Sequence, residues 1–382
     1  MSGNPPHILV LGGGFGGLAA ANKIRERFTP SEVKITLVDK KDWFMVGFAK
    51  LWIIRGERTF EESTGSLRGL EKKDINFVKE EIIDIDLEGM QVKTIQQTIS
   101  YDFLIVAMGA ALAPEKVPGL TEHGMILYDH NHLARIRDAI LGIKSGKLAI
   151  CITGMPYKCP PAPFEAALLI DSMLREAGTR STVQIDIYSP APLTLPAAGP
   201  DVSSNVLKML DSEGIQFHPS CRVSSVEKDT LVFENSSAPF DLLLAIPPHT
   251  APPVIAESGL ASQDGYVKVS RDCTTEFENV YAVGDVTSMP AGSGAVPKAG
   301  IFAEGEAEAV AKSIITKITS GGGPELFHGK GGCFLESGRK TAALVEVDAF
   351  SEDKPTTKLS DSTEQHLSEK ADFERERLAK WL

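Results

Sequence analysis

The clearest chemical group in this sequence is a cysteine that stands among prolines. Cys159 lies in residues 154–163 (GMPYKCPPAP), directly after the apolar run 148–153. A thiolate is a nucleophile and exchanges with disulfides. The prolines of this segment fix φ and remove N–H donors, which is the opposite of what a phosphate-binding loop needs. The segment therefore predicts a stiff loop that presents a sulfur where a glycine-rich loop could have stood.

A second cysteine lies in a glycine-rich segment far along the chain. Cys333 stands in residues 328–340 (HGKGGCFLESGRK), 174 residues after Cys159. No C-x-x-C pair occurs, so we predict neither a zinc ribbon nor any other metal site. We predict structural roles for the remaining cysteines, which are Cys151, Cys221 and Cys273.

A glycine-rich turn near the N-terminus is typical of adenine dinucleotide binding. The apolar run 7–11 (HILVL) is followed by Gly12, Gly14 and Gly17 at G-x-G-x-x-G spacing, and a second apolar run ends in Asp39. The first glycine allows a tight turn, the second admits a pyrophosphate, and the third lets a helix pack on the strand. The acidic residue can accept the ribose hydroxyls. The helix N-terminus then faces the phosphates.

Later segments resemble motifs of flavoproteins that have two dinucleotide-binding domains. Residues 279–285 (NVYAVGD) end in Gly284 and Asp285, and residues 102–109 (DFLIVAMG) resemble the middle motif, with methionine at its usual threonine position. Residues 296–304 open a helix that is expected to point at the flavin. The resemblance implies that FAD is the cofactor. We assign the remaining FAD contacts to Phe15, Gly16, Lys40, Ile82, Ala107, Gly109, Pro297 and Lys298.

The central segment has the strand and the helix of a second nucleotide unit but lacks its glycines. Of the expected loop only Gly154 is present, and Cys159 lies in its place. We therefore predict that NAD(P)H binds poorly to a degenerate second Rossmann-like unit.

On these residues the chain resembles the sulfide:quinone oxidoreductase and flavocytochrome c sulfide dehydrogenase group. The resemblance implies that Cys159 and Cys333 are a redox pair and that Glu165 accepts or relays a proton. It implies that sulfide or polysulfide is oxidised and that FAD passes the electrons to a quinone. Phe334 and Phe302 are the aromatic residues assigned to the quinone pocket. The chain lacks the third cysteine of many bacterial members and a cysteine near residues 40–48 for a covalent flavin link.

Two other functions stay open at this point. A type II NADH:quinone oxidoreductase shares the same scaffold, although the lost glycines count against it. A flavoprotein subunit that docks a cytochrome would also carry these motifs.

The composition restricts the partners and the location. The chain has 382 residues, with 39 Lys and Arg against 51 Asp and Glu, and a net charge of −12. This charge repels nucleic-acid phosphates, so we predict no nucleic-acid partner. No apolar run approaches the roughly 18–20 residues of a spanning helix, and the N-terminus shows no signal peptide. We expect a cytoplasmic or peripheral membrane-associated protein, and a homo-oligomer is one open assembly.

The elements that position these residues predict an α/β protein with two Rossmann-like domains. We expect an FAD domain over 1–112 and 262–325, a degenerate NAD(P)-binding-like domain over 113–261, and a C-terminal region over 326–382 that covers the flavin and quinone site. We predict a loop over 351–363 and then an amphipathic helix that contacts a membrane, covers the quinone entrance or packs on the body of the protein. Its apolar face, interrupted by Glu374 and Arg375, comprises Leu367, Ala371, Leu378, Trp381 and Leu382.

Overall fold

The computed structural model describes residues 4–292, 294–319, 321–351 and 355–382. Within these residues, a five-stranded parallel sheet carries the first glycine motif. Its first strand, His7–Leu11, is almost wholly buried, as expected for a strand covered on both faces. The spatial order of its strands is Val280–Ala282, Phe103–Val106, His7–Leu11, Lys34–Asp39 and Asn76–Lys79.

Two helices pack together beside this sheet. The helix Phe15–Arg25 begins directly after the glycine turn, and its alanines leave room for the helix Gly300–Thr319. Small side chains let two helix backbones approach closely. The glycine turn therefore lies between the first sheet and the helix Gly300–Thr319.

A second five-stranded parallel sheet is built from the central part of the chain. Its order is Met125–Ile126, Leu242–Ile246, Gly146–Ile152, Val183–Tyr188 and Gln216–His218. The helices that pack on it are Leu133–Gly142, Ala162–Glu176 and Gly199–Ser212. Two parallel Rossmann-like sheets confirm the predicted fold class. The predicted domain limits stay predictions.

Small sheets complete the described fold, and all of them are antiparallel except the parallel pair Val267–Lys268 with Thr287–Ser288. Three three-stranded sheets comprise Ile82–Asp86, Gln91–Thr94 and Thr98–Ser100; Val223–Val226, Thr230–Phe233 and Ser237–Pro239; and Lys330–Glu336, Ala342–Asp348 and Thr356–Leu359. Short strands pair as Trp43–Phe44 with Gly65–Ser66, Ala111–Leu112 with His249–Thr250, Val267–Lys268 with Thr287–Ser288, and Pro290–Ala291 with Gly294–Ala295. The short α-helices are Ala49–Arg55, Leu120–His123 and Pro253–Glu257.

The loop predicted over 351–363 was wrong in part. Thr356–Leu359 is a strand that pairs with Ala342–Asp348, and residues 352–354 lie outside the described residues. Exposed and half-buried residues alternate along this strand, which lies at the edge of its sheet with one face in solvent. Its polar sequence is therefore similar to that of a loop.

The last helix, Glu364–Trp381, packs on the body of the protein by a face that contains Trp381 and Leu378 of the predicted apolar face together with two buried charged residues. Thr363 caps it by accepting a hydrogen bond from the backbone N–H of His366 at 3.1 Å. Glu374, expected to interrupt the apolar face, is buried together with Lys370. Leu367, Ala371 and Leu378 are half-buried. The buried face of this helix is thus charged in its middle because the charges find partners inside the protein.

No helix in the described part of the chain combines the length and the apolar character that crossing a bilayer requires.

Trp381 anchors the end of this helix against the glycine turn. It is 1% exposed, and its ring lies 5.6 Å from that of Phe15 and 5.7 Å from that of Phe44, measured between centroids. We expect Trp381→Ala to lower the free energy of unfolding by about 3–5 kcal/mol, because it removes a large buried ring and leaves a cavity. Denaturant unfolding measures this, with the exposed Glu376→Ala as the control, and an unchanged midpoint in Trp381→Ala would contradict the packing role.

Candidate active site

The glycines of the first turn are of two kinds. At two of them a side chain would clash with the protein, and at the third there is space for one. A Cβ at Gly12, where φ is +106°, would stand 2.3 Å from the carbonyl oxygen of Ala107. A Cβ at Gly17 would stand 1.8 Å from the carbonyl oxygen of Gly12. At Gly14 no heavy atom lies within 4 Å of the Cβ position. The fold itself therefore requires Gly12 and Gly17, whereas Gly14 fits a ligand that approaches the backbone closely.

Asp39 ties the second strand to this turn. Its carboxylate accepts hydrogen bonds from the backbone N–H of Gly13 at 2.7 Å and from that of Lys41 at 2.8 Å. Lys40 is exposed and lies 3.5 Å from Glu81. Ile82 begins the strand Ile82–Asp86 and packs against the hydrophobic core around the first parallel sheet. The acid thus stands at the turn, where ribose hydroxyls could reach it.

The loop at Gly284 and Asp285 holds an acceptor without a protein donor. The N–H of Gly284, with φ at +78°, donates to the buried carboxyl of Glu306 at 2.5 Å. The Oδ1 atom of Asp285 is buried and has no hydrogen-bond partner among the described residues. A buried carboxylate oxygen left this way suits a ligand hydroxyl. These residues therefore fit the ribityl chain of FAD.

Two charged side chains surround this loop. The Nζ atom of Lys298 donates to the carbonyl oxygens of Asp285 and Thr287, both at 2.8 Å, and burial lowers its pKa to about 8. Burial raises the pKa of Glu306 to about 7. Burial also raises the pKa of Asp285, against the opposing effect of Lys158 and Lys298.

The proline-rich loop meets the flavin loop through the backbone of its cysteine. The N–H of Cys159 donates to the carbonyl oxygen of Lys298 at 2.7 Å, and the hydroxyl of Tyr128 donates to the carbonyl oxygen of Cys159 at 3.3 Å. Cys159 itself has a φ of +52°, an uncommon conformation for a residue with a side chain. The same carbonyl accepts from Ala162 at 2.9 Å, which begins the helix Ala162–Glu176. Both the N–H and the carbonyl group of Cys159 are therefore held by hydrogen bonds, which fixes the loop.

Cys333 lies in the same neighbourhood, on the strand Lys330–Glu336. Burial raises the pKa of the Cys159 thiol, and the nearby Cys333 and Glu165 add to this increase. Burial raises the pKa of Cys333 to about 12, with smaller contributions from Glu165 and Asp285. Both cysteines are free thiols in the structure. The charge of Cys333 thus acts on Cys159 although 174 positions of the chain separate the two residues.

Glu165 lies in the first turn of its helix and forms part of a buried ion cluster. It is 2% exposed, and its carboxylate accepts from the Nζ atom of Lys370 at 2.6 Å. The same ammonium donates to Glu336 at 2.7 Å, and the indole N–H of Trp52 donates to Glu336 at 3.0 Å. Burial raises the pKa of Glu165, although Lys370 acts in the opposite direction. The sequence predicted Glu165 but neither Lys370 nor Glu336.

Two further lysines missed by the sequence reasoning lie near Cys159. Burial lowers the pKa of Lys50 to about 7, helped by the charges of Lys158 and Lys41. Lys158 donates to the carbonyl oxygen of Ala110 at 3.4 Å, and burial lowers its pKa as well. When protonated, these side chains add positive charge around the sulfur, Lys50 below about pH 7. Lys158 was visible beside Cys159, but Lys50 gave no signal because it comes from a distant helix.

The two predicted quinone-pocket residues have different surroundings. Phe334 is half-buried, and its ring lies edge-on to that of Phe373 with 6.2 Å between centroids. Phe302 is 3% exposed and packs on Phe327 beneath Gly331. Phe334 thus presents part of its surface, whereas Phe302 is covered by protein.

The other three cysteines are free thiols that form no disulfide among the described residues. Cys151 and Cys273 are fully buried, and Cys221 is half-buried. The described residues contain no cluster of three or more His, Cys, Asp or Glu that could hold a metal ion.

The chain is similar to flavoenzymes of known activity. It is 26% identical to a sulfide-quinone reductase of Aquifex aeolicus, over 82% of this chain and 76% of that protein. It is 25% identical to a mitochondrial sulfide:quinone oxidoreductase of Mus musculus, over 75% of this chain and 67% of that protein. A type II NADH:quinone oxidoreductase of Staphylococcus aureus is 24% identical, over 84% of each chain. The crystal structure of the Aquifex aeolicus sulfide:quinone oxidoreductase superposes with a TM-score of 0.88 and 24% identity, covering 97% of this chain and 90% of that one.

The pyridine nucleotide-disulphide oxidoreductase family model matches residues 6–154 and 165–309. The ten unmatched residues between these segments, 155–164, contain the Cys159 loop, so the departure from the family lies where a nucleotide loop was expected. The cofactor is FAD, in agreement with the space at Gly14 and the free acceptor of Asp285. The chain is an oxidoreductase and belongs to the pyridine nucleotide-disulphide oxidoreductase family.

Proposed function

We propose that this chain oxidises sulfide with Cys159 and Cys333 and delivers the electrons to a quinone. The observation that carries the proposal is the position of Cys159: its N–H donates to the carbonyl oxygen of Lys298 at 2.7 Å, and the charge of Cys333 acts on its thiol. A thiol pair beside a flavin loop suits two-electron sulfur chemistry. The names of the sulfide:quinone relatives support the choice of sulfide and quinone.

The sulfur chemistry begins from a disulfide between Cys159 and Cys333. Hydrosulfide attacks one cysteine sulfur, so that a new S–S bond forms and the old one breaks. One cysteine becomes a persulfide and the other a thiolate, because the substrate sulfur gives up two electrons to the bridge. Glu165 relays a proton between the hydrosulfide and the leaving sulfur, giving up one proton and taking up the other. FAD, which Gly14, Asp39 and Asp285 would hold, would supply the two-electron acceptor for this sulfur chemistry and the link to the quinone.

Charges near Cys159 lower the cost of an anion in this buried site. The N-terminus of the helix Ala162–Glu176 begins beside Cys159 and presents the positive end of its dipole. Lys370 acts to lower the pKa of Cys159, against the dominant effect of burial. Lys50, a cation below about pH 7, lies in the same region, as does Lys158, whose pKa burial also lowers. These groups would favour both the hydrosulfide anion and the leaving thiolate.

Anaerobic titration with sulfide tests this function directly. We expect sulfide to bleach the flavin absorbance in proportion to the FAD present, and a quinone to restore it. If the flavin stays oxidised in excess sulfide, the proposed function is wrong.

An NADH:quinone oxidoreductase is the second candidate, favoured by the similarity to the Staphylococcus aureus enzyme over 84% of each chain. The loop at residues 155–161 opposes it, because three prolines cannot donate the N–H groups that nucleotide phosphates require. We expect NADH and NADPH to bleach the flavin little within the time in which sulfide bleaches it fully. Stopped-flow absorbance compares the three donors, and rapid stoichiometric bleaching by either nucleotide at micromolar concentration would favour the NADH-dependent function instead.

Membrane contact by the helix Glu364–Trp381 and a homo-oligomer stay predictions. Co-sedimentation with liposomes tests the first, and sedimentation velocity tests the second.

A further inference from the structure

A fully buried lysine joins the two segments that carry the cysteines. Lys370 is 0% exposed, and its Nζ atom lies 2.6 Å from a carboxylate oxygen of Glu165 and 2.7 Å from one of Glu336. Glu165 stands six residues after Cys159, and Glu336 stands three residues after Cys333. One side chain of the last helix therefore ties the loop-and-helix segment of one cysteine to the strand of the other.

The charges of this cluster do not balance. Glu165 is 2% exposed and Glu336 is 5% exposed, so two carboxyl groups face one ammonium away from water. Burying an uncompensated charge is so costly that such a group takes up a proton instead. Burial raises the pKa of Glu165, and the two carboxylates outweigh burial in raising the pKa of Lys370. The cluster at neutral pH is therefore one ammonium, one carboxylate and one carboxylic acid.

The other cation beside the cluster, Arg58, is paired with a third buried glutamate and so does not correct the imbalance. Glu374, one turn along the same helix, is bound by Arg58, and burial raises its pKa. The electrostatic neighbours of Glu165 on other elements are Cys159, Cys333 and Tyr128. The extra proton thus stays within the Glu165–Lys370–Glu336 cluster.

We propose that Lys370 is a positioning residue of the cysteine site, which holds Glu165 and Glu336 together and keeps one proton between them, ready for exchange with the sulfur chemistry. The role of Lys370 in catalysis rests on the proposed function, whereas the presence of the extra proton in the cluster does not. In this arrangement Glu165 carries its proton in the resting protein and acts first as a donor to the leaving thiolate. It becomes an acceptor only after that proton has left.

Infrared spectroscopy of the FAD-bound protein tests the proton count. At pH 7 we expect the spectrum to contain the carbonyl stretch of a protonated carboxyl group that is absent from Glu165→Gln. In Lys370→Met we expect one additional protonated carboxyl group, since both glutamates then lack a cation. Lys370→Arg should retain the original band, and Lys380→Met, an exposed position on the same helix, should leave the spectrum unchanged.

A double variant covers the case in which Lys370→Met does not fold. In Lys370→Met/Glu336→Gln a single carboxyl group remains, and its band should persist to higher pH than in the wild type because no ammonium opposes protonation. A Glu165 band that titrates as in the wild type, or that never appears at pH 7, would overturn the inference. These spectra do not depend on sulfide, so a protein that shows the band but is not reduced by sulfide would refute the proposed function alone.

The same variants separate positioning from plain structural support. If sulfide reduces the flavin, the pH dependence of that reduction should shift towards higher pH in Lys370→Met and return towards the wild type in Lys370→Arg. A uniform loss of rate at every pH, with no shift, would reduce Lys370 to a structural role.

Discussion

Replacing Cys159 by serine is expected to slow the reduction of the flavin by sulfide by about 1,000-fold or more while FAD stays bound. A serine hydroxyl cannot form or break the sulfur bridge on which the proposed reaction depends. The side chain is of similar size, and the backbone contacts of residue 159 with Lys298 and Tyr128 use no sulfur atom. Anaerobic stopped-flow absorbance measures the rate, and the flavin spectrum of the oxidised protein measures its FAD content.

The second cysteine supplies the strongest check on this result. Cys333→Ser should have an effect of similar size, and the double variant should be no slower than either single one, because each substitution breaks the same bridge. Cys221→Ser, at a half-buried cysteine of the second sheet region, should retain most of the rate. If Cys159→Ser is reduced by sulfide at the wild-type rate, the proline-rich loop is a structural turn and the proposed chemistry is wrong.

Gly14→Val should yield a folded protein that has lost its FAD. Apart from its chain neighbours, no described residue places a heavy atom within 4 Å of the Cβ position, so the fold has room for a side chain there. That room is where the backbone must approach the pyrophosphate, and a valine would occupy it. We expect a colourless protein with an unchanged fold by circular dichroism, and an FAD affinity reduced by at least about 100-fold, a loss of roughly 3 kcal/mol.

Gly17→Ala is the contrasting variant. Its Cβ would stand 1.8 Å from the carbonyl oxygen of Gly12, so the strain falls on the turn and not on the ligand. This protein should unfold at lower denaturant concentration than Gly14→Val. Full FAD occupancy in Gly14→Val would mean that the pyrophosphate does not lie over this residue.

The sequence carried the information for those parts of the site that are contiguous in the chain. The glycine turn with Asp39 and the Gly284–Asp285 loop could be predicted because strand, turn and helix follow each other within a few residues. Cys159 could be singled out because its prolines stand where glycines were expected. The parallel sheets followed from the alternation of apolar runs and helices. All of these are local patterns with a direct physical reason.

The ion cluster could not be predicted, because it depends on contacts across 205 and 34 residues. Lys370 lies in a helix rich in charged residues, where a lysine is ordinarily expected to face solvent. Glu374 was interpreted as an interruption of the apolar face for the same reason, yet it is buried against Arg58. Only the tertiary structure tells which of several similar charges lie inside.

The strand Val280–Ala282 has a consequence for how the protein is made. It pairs with Phe103–Val106, so during synthesis the edge of the first sheet stays unpaired until 174 further residues have been added. At about 5–20 residues per second, the ribosome needs roughly 9–35 s for that interval. The strands of the second sheet all emerge within it, between residues 125 and 246. We therefore expect the second sheet to form first on the nascent chain, with the dinucleotide loaded only late in translation or after it.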